Sequence, residues 1–478
     1  MDEVIFNDVL FSFLLIISLT LVSIFSLKFI LKNKFKSTLF VSLGLVFFFS
    51  YGYFAKFIVS LNIDVSSLPF SHTTIILPIY FIIFGVITIG IIKIKNYYKD
   101  ITIFVNIISV VFLLILLPNV ISDFQIYDYE TMENPLNYRI TDNSNISKPD
   151  IYYFILDEYT SDEILLDIYN YDNHDFLKNL SDRGFIIPSI SFTNYATSPL
   201  AISAFLNMDY IENQNVVPTL DNKNIFYNQN QIMRILKSLD YKIISYTLEY
   251  PFPEVADYHL CPPTLFVNQF HSTLLDYSIW LPFSKFFNAV GDSQRDKINC
   301  QLSLIKELGT FESPIFVFNH IMSPHPPYIF GPNGESRTPQ FLSIGADSWS
   351  DKPGYVGQVQ NINKKIIDIV DQILEVNPNS IIVIQGDHGT PTQLGGGGLR
   401  WNNINDDSIY ERMSILNAYY LPNVDNKIIY EGITPVNSFR LILNTYLNGD
   451  YELLEDKMYF STYQDMQNFT DVTHLFQK

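Results

Sequence analysis

Over the first 122 residues, apolar side chains run almost unbroken through four stretches, about 9–31, 38–61, 73–93 and 101–122. A helix needs roughly 20 such residues to cross the hydrocarbon core of a bilayer. The first run is too long for a simple signal peptide and lacks a small-residue cleavage site. Four nearly uncharged runs in succession fit membrane spans better than the buried bundle of a soluble protein. The lysines between them give a direction. Lys28, Lys32, Lys34 and Lys36 fill the first loop, and Lys93, Lys95 and Lys99 fill the third. The loop "LNIDVSSLPFSH" has no Lys or Arg, and the N-terminal "MDEVIFND" is acidic. Basic loops stay in the cytoplasm, so the N-terminus and everything beyond residue 122 are expected outside.

The pattern then changes. Residues 123–148 are polar and without period, which reads as a linker or surface strap. From 149 onward, short apolar runs alternate with helical patterns. "IYYFIL", "IFVFNH" and "IIVIQG" read as buried strands, and "DFLKNLSDRGF" as a helix ending near Gly184. "KKIIDIVDQILEV" (364–376) reads as an amphipathic helix, "ERMSILNAYYLP" (411–422) as a late core strand, and "TPVNSFRLILNTYL" (434–447) as a helix packed on it. Strands alternating with helices predict an α/β fold with a mostly parallel sheet. The expected organisation is a transmembrane region over 1–122, a linker over 123–148 and an extracytoplasmic domain over 149–478.

Charge sharpens this division. Residues 1–122 hold 8 Lys and 5 acidic residues, a balance of +3, so with −19 overall the rest of the chain carries −22. Such an acidic domain argues against a nucleic-acid partner. Cys261 and Cys300 are the only cysteines; outside the cytoplasm they could pair, or they could be two buried thiols.

The chemistry gathers at the strand ends. In parallel sheets, ligands bind at the carboxyl ends of strands. Asp157 follows "IYYFIL", His320 closes "IFVFNH" with His325 in the Pro-rich loop beyond, and Asp387-His388 follow "IIVIQG". Thr197-Ser198-Pro199 precede the helical "LAISAFLNM". A hydroxyl there is either a helix N-cap or a nucleophile at an anion-binding helix terminus. Carboxylates mixed with imidazoles suit Zn²⁺ or Mn²⁺ better than Ca²⁺, and such a cation can activate a hydroxyl. "QLGGGGLRW" is either a surface turn or a loop that brings Arg400 to a phosphate.

Taken in order, these blocks resemble the alkaline phosphatase superfamily, and most of all its sulfatase-like branch, which includes membrane-anchored lipoteichoic acid synthases and phosphoethanolamine transferases. The resemblance spans roughly residues 148–445. "PDIYYFILDEY" is similar to the first metal-ligand strand, "TSPLAISAFLN" to the nucleophile helix, "HIMSPHPPY" to the substrate-side histidine loop and "GDHG" to the most specific signature. It implies an alkaline-phosphatase-like sheet and one divalent metal, Zn or Mn, on Asp157, Thr197, Asp387 and His388. Thr197 is the implied nucleophile, with Ser198 the rival hydroxyl and a substrate contact. His320 and His325 are the implied catalytic histidines; Arg400, at the edge of the glycine-rich loop and not part of the resemblance, is the expected substrate contact. A true sulfatase needs Cys or Ser followed by x-Pro-x-Arg to make formylglycine, and this chain departs from that pattern. The expected activity is therefore transfer of phosphoglycerol or phosphoethanolamine from a membrane lipid donor to a cell-surface glycan or lipid. The alternatives are a phosphate or sulfate ester hydrolase and a non-catalytic scaffold of polysaccharide assembly.

Overall fold

The computed structural model describes residues 6–59, 72–93, 97–123, 148–213, 230–246, 255–261, 274–275, 277–283, 289–303, 311–337, 348–395 and 401–476. Two compact units divide the chain. One comprises residues 3–131 and 265–290; the other comprises 132–264 and 291–478. Of the expected linker, residues 124–147 lie outside the described residues.

The first unit is helical: α1 (Phe6–Leu31), α2 (Lys34–Val59), α3 (His72–Lys93) and α4 (Tyr98–Asp123). Among the described residues, Leu10–Leu31 and Lys34–Ala55 are long and apolar enough to cross a membrane. Ile76–Gly90 forms a shorter apolar stretch, and α4 carries Lys99 and Asp100 in its first turn with Asn106 and Asn119 further along. The expected four spans are thus four helices, two of which clearly meet the requirement.

The second unit is an α/β fold. Its strands are β1 (Ile151–Leu156), β2 (Lys242–Tyr246), β3 (Tyr258–His259), β4 (Ile315–Ile321), β5 (Ile381–Gly386) and β6 (Asn417–Tyr420). They lie in the order β3-β2-β4-β1-β5-β6, and all pairs are parallel except β5 with β6. β1, β4 and β5 are buried at every residue, which is why they read as continuous apolar runs rather than alternating ones. Tyr152, Phe154 and Leu156 enter one core layer, and Ile151, Tyr153 and Ile155 enter the opposite layer.

Helices cover both faces: α5 (Asp162–Asp167), α6 (His174–Asp182), α7 (Ser198–Asn207), α8 (Gln231–Ser238), α9 (Ala289–Leu302), α10 (Lys352–Val376), α11 (Asp406–Met413) and α12 (Pro435–Tyr446). A hairpin, β7 (Tyr459–Thr462) with β8 (Asp465–Asp471), completes the unit. α6 ends where expected, with Gly184 at φ +90° just beyond it. The stretch 411–422 does not form one strand. Asn405 and Ser408 make a reciprocal capping box that starts α11, the helix runs through Arg412 and Met413, and the strand begins only at Asn417. Cys261 and Cys300 form a disulfide with Cα atoms 5.8 Å apart, which resolves the open choice between a bridge and two thiols.

Candidate metal centre and active site

Strand register brings the acidic residues together. Leu156 of β1 lies opposite both Ile321 of β4 and Gly386 of β5. Asp157 and Asp387 therefore leave neighbouring strands at the same height, about 4.8 Å apart in the pairing direction. His320 pairs with Ile155 at the end of β4, and its Nε2 lies 3.3 Å from Asp157 Oδ2. The two glycines around Asp387-His388 have a steric cause. A Cβ on Gly386 would run into the Tyr159 carbonyl, and one on Gly389 into the carbonyls of Glu411 and Ser414.

Backbone groups then aim the side chains. Asp387 Oδ1 accepts from the N–H of Glu158 at 3.0 Å and of His388 at 2.9 Å. That leaves Asp387 Oδ2, and likewise Asp157 Oδ1, buried with no hydrogen-bond donor. His388 Nδ1 lies 3.1 Å from the Gly389 carbonyl. A carbonyl can only accept, so Nδ1 carries the proton and Nε2 presents its lone pair. Ligand atoms of Asp157, Asp387 and His388 lie within 4.8 Å of one another, and all three residues are buried. Two orphaned carboxylate oxygens and one oriented imidazole fit a divalent cation, since buried anionic oxygens otherwise lack compensation.

The charges agree with that fit. Burial and the neighbouring Asp157 carboxylate push Asp387 up to about 7. Burial acts on Asp157 in the same direction, but His325, His320 and His388 outweigh it and hold Asp157 below the ordinary carboxylate range. Desolvation, reinforced by the Arg412 guanidinium, keeps His388 neutral. His325 is half-buried; its backbone N–H donates to the Asp157 carbonyl, and its ring Nδ1 lies 2.6 Å from the Pro326 carbonyl. Burial alone would lower its pKa, yet Asp157, Glu158 and the Pro326 carbonyl raise it above the usual histidine value.

The hydroxyl beside this group is that of Ser198. Its Oγ lies 2.8 Å from His388 Nε2 and 3.4 Å from Tyr463 Oη. Thr197, expected there, is the N-cap of α7 but makes no side-chain cap bond. Its hydroxyl donates instead to Met466 Sδ at 3.6 Å, in a cluster with Tyr195 and Leu200. The reason is local. Thr197 has extended backbone (φ −127°, ψ 139°), whereas Ser198 is the first helical residue, so successive side chains point in different directions. Arg400 lies outside the described residues.

Sequence reading missed a buried charged group beside the hydroxyl. Arg412 is buried to 1% exposure. It donates to Glu158 Oε1 at 2.9 Å and to the carbonyls of Ala196 at 2.8 Å and Gly389 at 2.7 Å. Its Nη2 lies 3.0 Å from His388 Nε2, and its guanidinium lies over the Trp401 ring. Glu158, at φ +64°, also accepts from Trp349 Nε1. The run "NDDS" (405–408), with Asn at the cap and Ser three residues on, is the signal from which this helix, and hence Arg412, could be placed.

Two buried carboxylates, a buried imidazole, a hydroxyl at a helix N-terminus and a guanidinium thus meet at one place, a set that fits a divalent cation. The Sulfatase family model matches residues 149–410, more than half of the chain, and the chain belongs to that family; it is an enzyme of the alkaline phosphatase superfamily. No curated protein matches the chain in sequence. Among solved structures, the C-terminal periplasmic domain of EptC from Escherichia coli is similar at 12% identity and a TM-score of 0.47, over 70% of this chain and 95% of that one. The integral membrane lipooligosaccharide phosphoethanolamine transferase A from Neisseria meningitidis follows at 11% identity and a TM-score of 0.46, over 77% and 68%. The phosphonate monoester hydrolase of Agrobacterium radiobacter is similar at 10% identity and 0.41, over 65% and 80%.

Proposed function

We propose that this chain is a membrane-anchored transferase that moves a phospho-alcohol group from a lipid donor to a cell-surface glycan or lipid, through a covalent intermediate on Ser198. In this reading α3 and α4 cross the membrane together with α1 and α2, and the α/β unit works outside. The observation that carries the chemistry is the Ser198 hydroxyl at the start of α7, 2.8 Å from His388 Nε2, beside two buried carboxylates with an unsatisfied oxygen each.

Asp157, Asp387 and His388 would hold the cation, with Zn or Mn favoured by the donor set. When bound, such a cation lowers the pKa of an adjacent hydroxyl and polarises a phosphoryl oxygen. Ser198 Oγ, its proton released to solvent, attacks phosphorus, and the bond to the lipid alcohol breaks. Arg412 and the N-terminus of α7 offset charge on the phosphoryl oxygens. His325, whose protonated form the negative charge of its carboxylate neighbours stabilises, supplies the proton to the leaving oxygen. Neutral His325 then accepts a proton from the incoming acceptor hydroxyl, which displaces Ser198. Formylglycine chemistry has no support, because Ser198-Pro199-Leu200-Ala201 lacks both the spacing and the arginine of that signal.

Turnover of a chromogenic phosphodiester and of a fluorescent phospholipid, normalised to folded protein, tests the nucleophile. Ser198→Ala should lose several powers of ten in rate, whereas Thr197→Ala should stay near wild type. The reverse pattern would return the role to Thr197, and two active variants would remove the covalent step.

A further inference from the structure

Between β3 and α9 the chain leaves the α/β unit and joins the helical one over residues 265–290. Within this excursion, "YSIWLPF" (277–283) carries no charge, in a portion of the chain that is otherwise strongly acidic. Leu281 is buried to 6% in a cluster with Tyr51 and Ala55 of α2 and Ile76 and Tyr80 of α3. Ile279 N–H donates to the Phe48 carbonyl at 2.8 Å. Tyr277 stacks on Tyr53 with ring centroids 4.3 Å apart.

Every non-proline N–H from Ser278 to Phe283 has a protein acceptor. Ser278 donates to Leu275, Ile279 to Phe48, Leu281 to Ser278 and Phe283 to Trp280, each to the carbonyl, and Trp280 donates to Ser278 Oγ. A water-exposed loop has no need of such complete pairing, but a segment in hydrocarbon does, because an unpaired N–H costs several kcal/mol there. Trp280 (45%) and Phe283 (38%) remain exposed, and their rings meet edge-on at 6.0 Å. Exposed apolar side chains also lie on the neighbouring helices: Tyr53 and Phe57 of α2 and Ile79 of α3 are more than half exposed.

We infer that residues 277–283 form a second membrane anchor, seated against the second half of α2 and the first half of α3, the halves away from the lysine-rich loops, with Trp280 and Phe283 turned to the acyl chains of a phospholipid bilayer. Uncharged aromatic side chains favour that environment, and the indole N–H of Trp280 suits the headgroup side of it. The contacts agree in direction with the lysine pattern. They fall on the second half of α2 and the first half of α3, the ends joined by the loop without Lys or Arg. The anchor rests on the membrane reading of α2 and α3.

The test uses the full chain in phospholipid vesicles, with one cysteine introduced at a time and labelled with an environment-sensitive fluorophore. Three positions are labelled: Trp280→Cys, Phe283→Cys and, as a mid-span reference on α2, Val46→Cys. Quenching by phospholipids with a nitroxide near the headgroup is compared with quenching by lipids carrying it deep in the chain and by aqueous iodide. Labels at 280 and 283 should be quenched by the nitroxide lipids and little by iodide, as the label at 46 should be. If 46 responds to lipid but 280 and 283 respond to iodide alone, the anchor is wrong and the membrane reading stands. If 46 also responds only to iodide, the membrane reading falls and the anchor with it.

Discussion

Ser198 and Thr197 show where a residue-level reading runs out. Both are hydroxyls at the start of a helix, and spacing to Pro199 pointed to the earlier one. Which of them faces the cation site depends on the backbone turn between an extended N-cap and the first helical residue, which residue type does not reveal. Asp157, Asp387 and His388 were legible because each ends a continuous apolar run, and parallel strands present their carboxyl ends together. Arg412 was hidden by its neighbours, since "ERMSILNAYY" looks apolar enough to be one strand. Its energetic role is testable. Breaking a buried ion pair leaves an uncompensated charge and costs about 3–5 kcal/mol, so Arg412→Met alone should lower the unfolding free energy by that order. Glu158→Gln with Arg412→Met together should cost less than the sum of the single changes, as measured by chemical denaturation. Strict additivity would deny the pair its coupling.

At the scale of elements, β1, β4, β5, α6 and α12 follow the apolar periods closely. α10 is longer than its periodic core suggests: Asp351 caps it, and it runs from Lys352. The β7–β8 hairpin brings Tyr463 and Met466 to the start of α7, a long-range contact that no local pattern announces. The end of β5 is a tight joint in the site. Gly386→Ala must displace the Tyr159 backbone, which follows directly on the β1 turn holding Asp157. We expect a loss of about 1–3 kcal/mol or more, as for other overpacked sites, together with weakened metal binding. Gly432→Ala is the comparison, because its Cβ meets nothing within 4 Å and only its φ of +78° is unfavourable; that costs about 1–2 kcal/mol and should leave metal binding intact. Thermal unfolding and metal titration of the two variants separate these effects.

For the whole molecule, the charge division is the plainest feature of the sequence. A mildly basic apolar region precedes an acidic one carrying −22, and the two compact units follow nearly the same division. The departure is the excursion over 265–290, whose stretch 277–283 is uncharged but whose destination comes from tertiary contacts alone. The lysine pattern predicts that a reporter active only in the cytoplasm, fused after residue 478, stays silent, while one fused in the loop around Lys34 is active. A cytoplasmic signal from the C-terminal fusion would reverse the orientation.

The central claim is a covalent group on Ser198 held beside the Asp157–Asp387–His388 cation site. The measurement that tests it most directly is mass spectrometry of the peptide containing Thr197 and Ser198, from protein incubated with phospholipid donor and quenched in acid. A phospho-alcohol adduct localised to Ser198, absent when Asp387→Asn removes a cation ligand, is the predicted result. An unmodified peptide under turnover conditions, or an adduct on Thr197, would contradict it.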